Sequence, residues 1–189
     1  MSSLWHRGPE RVCPWWLCRT FDNPLRRIFH KPERIFAALV KPGMTVLDAG
    51  CGMGFFSIGI ARLLKGDGMV LAVDLQDRML EGLRKRAERA GVAGSITPTL
   101  CTPKSLNIEG PVDFALAFWM VHETPDRGTF LKEVHSVLRP GGQLLITEPL
   151  FHVSQKAFDE TLALAWHVGF RMVSSPKVAF SRTALLQKQ

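Results

Sequence analysis

Three groups of residues have the types and spacing to do chemistry. The first is Asp48-Ala49-Gly50-Cys51-Gly52-Met53-Gly54, an acidic residue followed by a glycine-rich turn. Such a turn, opening into a helix, offers backbone N–H groups and a positive helix end to a ligand. Its spacing is G-x-G-x-G, not the G-x-G-x-x-G of dinucleotide binders. The second is Asp74, 20 residues beyond Gly54. A carboxylate there can accept hydrogen bonds from both hydroxyls of a ribose, or can simply N-cap the next helix. The third is Phe118-Trp119-Met120-Val121-His122-Glu123. Imidazoles ordinarily titrate near neutral pH, so His122 is the candidate general base, with Glu123 beside it as a second catalytic candidate. Trp119 suits a pocket wall, and His152, further along, is expected to face an acceptor. The bland reading of His122 is a histidine that packs beside the pocket.

These residues need elements to hold them, and the sequence supplies an alternation. Met44 to Leu47 reads as a buried strand ending at Asp48, and a helix starts at Phe55. Met69 to Val73 is a continuous apolar run, as in a strand buried on both faces, and ends at Asp74. Gln76 to Ala90 is an amphipathic helix with Met79, Leu83 and Ala87 on one stripe. Ser95–Cys101 and Val112–Phe118 read as the third and fourth strands. Asp126 caps a helix expected to stop at Arg139, before the turn Pro140-Gly141-Gly142. Gln143–Thr147 is the fifth strand, ending at Glu148-Pro149, and Ser154 caps a helix closed by Gly169. Phe170–Ser174 and Val178–Leu186 are the last two strands, antiparallel because their connection is short. A short helix over Pro32–Val40 precedes the first strand. The order predicts an α/β fold with a doubly wound, mostly parallel sheet. Ligands then bind outside the carboxyl ends of the strands, where all three groups lie.

At 189 residues, with 46% hydrophobic and 22% charged residues, the chain suits one soluble domain. No apolar run is long enough for a membrane span, and the N-terminus has no signal-peptide pattern, so the cytoplasm is the default expectation. Cys13, Cys18, Cys51 and Cys101 form no disulfide framework, and Cys13 and Cys18 lack the second pair that a metal site requires. No metal is expected. The net charge is +7, and five of these charges lie in residues 1–41. That surplus is either a solvated surface or a footprint for nucleic acid or an anionic substrate. Residues 1–31 read as an irregular N-terminal arm. Its Trp15 and Trp16 either fold over a pocket as a lid or pack on the sheet.

Taken together, Val46-Leu47-Asp48-Ala49-Gly50-Cys51-Gly52-Met53-Gly54, Asp74, Val112-Asp113-Phe114-Ala115-Leu116 and Leu138-Arg139-Pro140-Gly141-Gly142 resemble the ordered motifs of class I S-adenosylmethionine-dependent methyltransferases. The resemblance covers about residues 32–187, with a methyltransferase domain drawn as 32–189. It implies a Rossmann-like seven-stranded sheet of order 3-2-1-4-5-7-6 with strand 7 antiparallel. It also implies S-adenosyl-L-methionine as cofactor and S-adenosyl-L-homocysteine as product. The cofactor-binding set carried over is Asp48, Gly50, Cys51, Gly52, Gly54, Asp74, Leu75, Thr102 and Phe118. Many relatives carry an acid for the adenine amino group after the third strand. Here Cys101-Thr102-Pro103 stands in that place, so Thr102 is the substitute candidate. The sequence lacks the N/D-P-P-Y/F tetrapeptide of exocyclic-amine methylation on bases and the Pro-Cys nucleophile of pyrimidine chemistry. The small size and the lack of an appended recognition domain make a small-molecule acceptor the leading expectation, with Trp15, Trp16, Trp119 and His152 around it. RNA or protein is the alternative acceptor, and a noncatalytic cofactor-binding module is the second alternative. The oligomeric state is not legible.

Overall fold

The computed structural model describes residues 26–189; the arm's Cys13, Trp15, Trp16 and Cys18 lie outside the described residues. Two short helices, α1 (Arg26–Phe29) and α2 (Pro32–Phe36), lead into β1 (Thr45–Ala49). Next come α3 (Phe55–Leu64), β2 (Met69–Asp74), α4 (Asp77–Arg89) and β3 (Ile96–Leu100). Then follow β4 (Val112–Phe118), α5 (Arg127–Val137), β5 (Leu138–Pro149), α6 (Gln155–Val168), β6 (Phe170–Ser174) and β7 (Ser181–Lys188). The seven strands form one sheet of order β3-β2-β1-β4-β5-β7-β6. β7 runs antiparallel to both neighbours, and the other pairings are parallel.

The continuous apolar strands reflect burial on both faces. Val46 and Leu47 on β1 are both fully buried, yet they enter different core clusters. Val46 joins Phe36, Phe56, Ile60, Leu80 and Leu83 from α2, α3 and α4. Leu47 joins Phe130, Leu131, Val134 and Phe158 from α5 and α6. Period-2 alternation along each strand thus feeds two separate cores. β1 lies between β2 and β4, so the chain winds outward to β3 and then returns to start the other half. The carboxyl ends of β1 and β4 form the topological switch point.

Several boundaries differ from the sequence reading. β1 continues through Asp48 to Ala49. The helix expected over Pro32–Val40 ends at Phe36 and passes into a turn. α5 stops at Val137, not Arg139, because Leu138 is already extended and pairs with Val112. The register then jumps, with Phe114 opposite Gln143, so Arg139–Gly142 is an irregularity inside β5. Arg139 anchors it through a 2.5 Å contact with Asp113, whose other oxygen accepts Thr45 N–H at 2.7 Å. β7 begins at Ser181, three residues later than expected. The caps are as read: Asp126 accepts from Gly128 and Thr129 N–H, and Ser154 accepts from Ala157 N–H.

Candidate active site

The glycine turn is fastened to β2. Gly50 and Cys51 N–H both donate to Val73 O, at 2.9 and 3.0 Å. Gly52 N–H donates to Asp74 Oδ2 and Gln76 N–H to Asp74 Oδ1, each at 2.9 Å. Gly50, Gly52 and Gly54 all have positive φ, but their surroundings separate their roles. A Cβ on Gly54 would lie 2.0 Å from Leu83 Cδ1, and one on Gly50 would lie 2.9 Å from Met120 Cγ. Those two positions are small so that α4 and the β4 end can close on the turn. A Cβ on Gly52 would meet nothing within 4 Å. Gly52 therefore faces open space, where a ligand can approach the backbone.

Two buried acids flank the turn. Asp48 Oδ2 accepts the Ser57 hydroxyl of α3 at 2.5 Å, fixing β1 to the start of the helix. Asp74 is only 8% exposed. Burial raises its pKa above the ordinary carboxylate value, opposed by the backbone N–H groups of Gln76, Gly52 and Leu75. A carboxylate has about four lone-pair sites, so capacity remains for further donors. Leu75 is half-buried at the end of β2. Burial, then the carboxylates of Asp48 and Asp74, hold the Cys51 thiol well above its ordinary value. Burial and Asp74 push Cys101 to about 11. Both thiols stay protonated at neutral pH, which makes them packing groups rather than nucleophiles. The exposed Thr102 uses its hydroxyl within its own turn, accepting Ser105 N–H at 3.0 Å and Lys104 N–H at 3.3 Å.

At the end of β4, Phe118 is buried against Phe56 and the ring of His30. Trp119 follows with φ of 59°, a left-handed conformation that costs a non-glycine residue on the order of 1–3 kcal/mol. Three contacts hold it there. Its N–H donates to Thr147 O at 2.8 Å, and its indole N–H donates to Ser181 Oγ at 2.8 Å. Its ring lies 5.1 Å from that of His30, which is itself buried and bonded to Ala179 O. The left-handed residue turns the chain into the short 3-10 helix Val121–Glu123.

That turn delivers His122 to the end of β5. Glu148, 1% exposed, accepts His122 main-chain N–H on Oε1 at 2.9 Å and meets His122 Nδ1 with Oε2 at 2.6 Å. A carboxylate only accepts, so Nδ1 donates, and in the neutral ring Nε2 keeps its lone pair. Glu123 Oε1 lies 3.9 Å from Nε2, beyond hydrogen-bond length. The exposed His152 packs its ring 4.9 Å from that of His122. The structure thus brings together His122, Glu123 and His152 at one strand end, and Asp48, Gly52 and Asp74 at the neighbouring one. Met120 against Gly50 joins the two. Glu148, Ser181, His30 and Ser57 were not singled out from sequence. Glu148 alone carried a signal, as a carboxylate at the end of a strand.

A doubly wound sheet of order 3-2-1-4-5-7-6, with a glycine turn after β1 and an acid closing β2, defines a class: the class I S-adenosylmethionine-dependent methyltransferases. The family described as "Methyltransferase domain" matches residues 46–142, just over half of the chain, and the chain belongs to that family. Among curated relatives it is 29% identical, over 133 residues, to the ubiquinone/menaquinone biosynthesis C-methyltransferase UbiE of Enterobacter sp. (strain 638). The same enzyme from Klebsiella pneumoniae (strain 342) is 28% identical. Each match covers 68% of this chain and 52% of the relative, so the chain spans about half the length of these enzymes. A SAM-dependent methyltransferase from Aquifex aeolicus superposes with a TM-score of 0.82 at 22% identity, covering 93% of this chain and 98% of that one. A TehB-like SAM-dependent methyltransferase from Corynebacterium glutamicum superposes with 0.68 at 18% identity, covering 93% and 94%. The cyclase SpnF superposes with 0.67 at 19% identity, covering 79% and 60%.

Proposed function

We propose that this chain transfers a methyl group from S-adenosylmethionine to a small molecule whose reacting atom gives up a proton, with His122 as the general base. The observation that carries this reading is the His122–Glu148 pair. A buried carboxylate fixes the ring's orientation and tautomer and leaves Nε2 as the proton acceptor.

The residues fit the methyl donor. Gly52 opens onto free space, and Asp74 retains lone pairs for ribose hydroxyls. Gly50, Cys51, Gly52 and Gly54 would line the methionine portion, with Asp48 holding the turn through Ser57 and Leu75 and Phe118 forming apolar walls. When bound, the donor supplies an electrophilic sulfonium methyl and leaves as S-adenosylhomocysteine. His122 Nε2 takes the acceptor's proton as the new bond to carbon, oxygen, nitrogen or sulfur forms. Glu148 stabilises the resulting imidazolium and holds its orientation. Trp119, fixed by Ser181 and His30, presents one wall, and His152 stands at the rim. Trp15 and Trp16 of the arm are proposed as further walls, with the arm closing as a lid that excludes water.

The curated relatives are C-methyltransferases of ubiquinone and menaquinone biosynthesis, which supports ring acceptors with ionisable hydroxyls as the first to try. The test is transfer of labelled methyl from S-adenosylmethionine to a panel of phenols, hydroquinones and thiols, with His122→Ala alongside. The expected result is turnover with at least one small acceptor, lost in His122→Ala while cofactor binding persists. Equal turnover in the variant refutes the base assignment. The +7 charge favours an RNA or protein acceptor as the competing reading. Salt-sensitive RNA binding with methyl incorporation into RNA would establish that reading instead. Calorimetric binding of S-adenosylmethionine with no transfer to any acceptor would indicate a noncatalytic module.

A further inference from the structure

Two surface clefts among the described residues have similar sizes but different electrostatics. One, about 290 Å³, opens at the amino ends of β1 and β4 beside Met44, Asp113 and Arg139. Its charges neutralise each other through the Arg139–Asp113 contact. The other, about 300 Å³, opens where β5 ends and β7 begins, beside Leu150, Phe158, Ser175, Lys177, Ser181 and Arg182. Two cations line it, and no Asp or Glu does. Neither Lys177 nor Arg182 has an acidic partner among the described residues. The Nε of Arg182 is buried with no hydrogen-bond partner. A buried donor left unmet bears its full desolvation cost, and no described residue meets this one.

The cleft adjoins the candidate active site. Arg182 stands opposite Glu148 in the β5–β7 register. Cross-strand partners share a sheet face with Cβ atoms about 5 Å apart. They form no ion pair, and the Glu148 carboxylate turns to His122 instead. The preceding residue, Ser181, lines the same cleft and accepts the Trp119 indole N–H. The cleft is thus linked to the proposed base through two residues, Glu148 opposite Arg182 and Trp119 bonded to Ser181. Its volume is at the low end for a ligand pocket and suits a single polar group of an acceptor.

We propose that this cleft is a subsite for an acidic group on the methyl acceptor, a carboxylate or a phosphate, held by the planar donors of Arg182 with Lys177 at the rim. A guanidinium grips either anion through paired N–H donors. The substrate class this defines is a small acid with a separate nucleophilic atom presented to His122. The inference rests on the methyltransferase reading for its biological meaning, but the anion site itself does not.

The test uses the full chain without cofactor, titrated calorimetrically with benzoate, inorganic phosphate and phenol. Benzoate or phosphate is expected to bind with one site per chain, and phenol far more weakly. Preferential benzoate binding identifies a carboxylate, and preferential phosphate binding a phosphate. Arg182→Gln should weaken the bound anion by about tenfold or more, Arg182→Lys should restore part of the affinity, and the exposed Lys177→Gln should weaken it by about threefold. Absence of anion binding, or affinity unchanged in Arg182→Gln and Lys177→Gln, overturns the proposal. So does phenol binding as tightly as benzoate. Thermal unfolding of each variant checks that it is folded, and Lys177→Gln carries the test should Arg182→Gln unfold. Titration of the wild-type chain with S-adenosylmethionine reports separately on the methyltransferase reading, so either can fail alone.

Discussion

Replacing Glu148 by Gln tests the arrangement at its most buried contact. The wild-type carboxylate receives two donors, the His122 main-chain N–H at 2.9 Å and Nδ1 at 2.6 Å. A glutamine amide offers one acceptor and one donor. The main-chain N–H cannot change role, so the amide oxygen must meet it, and the NH2 group must then face Nδ1. The ring can change role, and its hydrogen should move from Nδ1 to Nε2, which removes the lone pair assigned to the acceptor's proton. The lost contact is a charge-assisted hydrogen bond in a water-excluded place, contributing about 1.5–3 kcal/mol. If the pair serves the transition state, turnover should fall by roughly 10- to 150-fold. S-adenosylmethionine affinity should stay within about twofold, because the Glu148 carboxylate bonds to His122 and not to the glycine turn or Asp74. Imidazole nitrogen chemical shifts on 15N-histidine protein report the tautomer directly and require no acceptor. The wild type should show His122 with hydrogen on Nδ1, and Glu148→Gln with hydrogen on Nε2. A folded variant with an unchanged tautomer and unchanged turnover would refute the reasoning.

Four further outcomes are expected. Asp74→Ala should weaken S-adenosylmethionine binding by about 10- to 150-fold, from the loss of a charge-assisted acceptor, as read by calorimetry. In the wild type that affinity should fall on acidification with a midpoint above 3.8, since burial raises Asp74 and its protonation removes acceptor capacity. Asp74→Asn should flatten the profile. The sign for stability is opposite: with the folded value raised, the ligand-free protein loses stability as pH rises from the ordinary carboxylate value towards the raised one. Gly54→Ala should lower the melting temperature strongly, because its Cβ would enter Leu83, whereas Gly52→Ala should cost only the roughly 1–2 kcal/mol of a left-handed residue while impairing cofactor binding. Equal melting temperatures for the two would refute that division. At pH 8 Cys101, with its value near 11, should alkylate about tenfold more slowly than a free cysteine thiol, measured by mass spectrometry of iodoacetamide-treated protein. Removing residues 1–25 should reduce turnover more than cofactor affinity if the arm is a lid; wild-type turnover in the truncated chain would reject it.

The sheet was legible because its signals are local. Val70 to Val73 reads as a doubly buried strand from its own composition, and Asp126 and Ser154 announce their helices by caps within three residues. The order of the strands came from motif resemblance together with the short last connection. Boundaries were less legible where an irregularity intervened. Arg139–Gly142 looks like an ordinary turn, and only the pairing of Leu138 with Val112 puts it inside β5. The three glycines of the turn look alike in sequence. Their division into two packing positions and one open position depends on Leu83 and Met120, which arrive from elsewhere in the chain. The His122–Glu148 contact spans 26 residues and requires β4 and β5 to be neighbours with a particular register. No spacing rule encodes that. His30 shows the same limit: an arm boundary drawn after residue 31 cuts off a ring that packs against Phe118 and Trp119, so a truncation should stop before Arg26.

The antiparallel direction of β7 has a practical corollary for anyone attaching this domain to a surface or another module. Ser181 and Arg182 begin the strand at the reactive rim, and Gln187 and Lys188 finish it beside Gln143 and Leu138 at the opposite end of the sheet. Seven residue steps of extended chain separate them by roughly 23 Å. A tether, reporter dye or immobilisation handle placed after Lys188 would point away from the mouth and leave the entry route for both reactants unobstructed. A handle at the other end of the described chain, next to Ile28 and Phe29, would hang beside Phe180 and across that entrance.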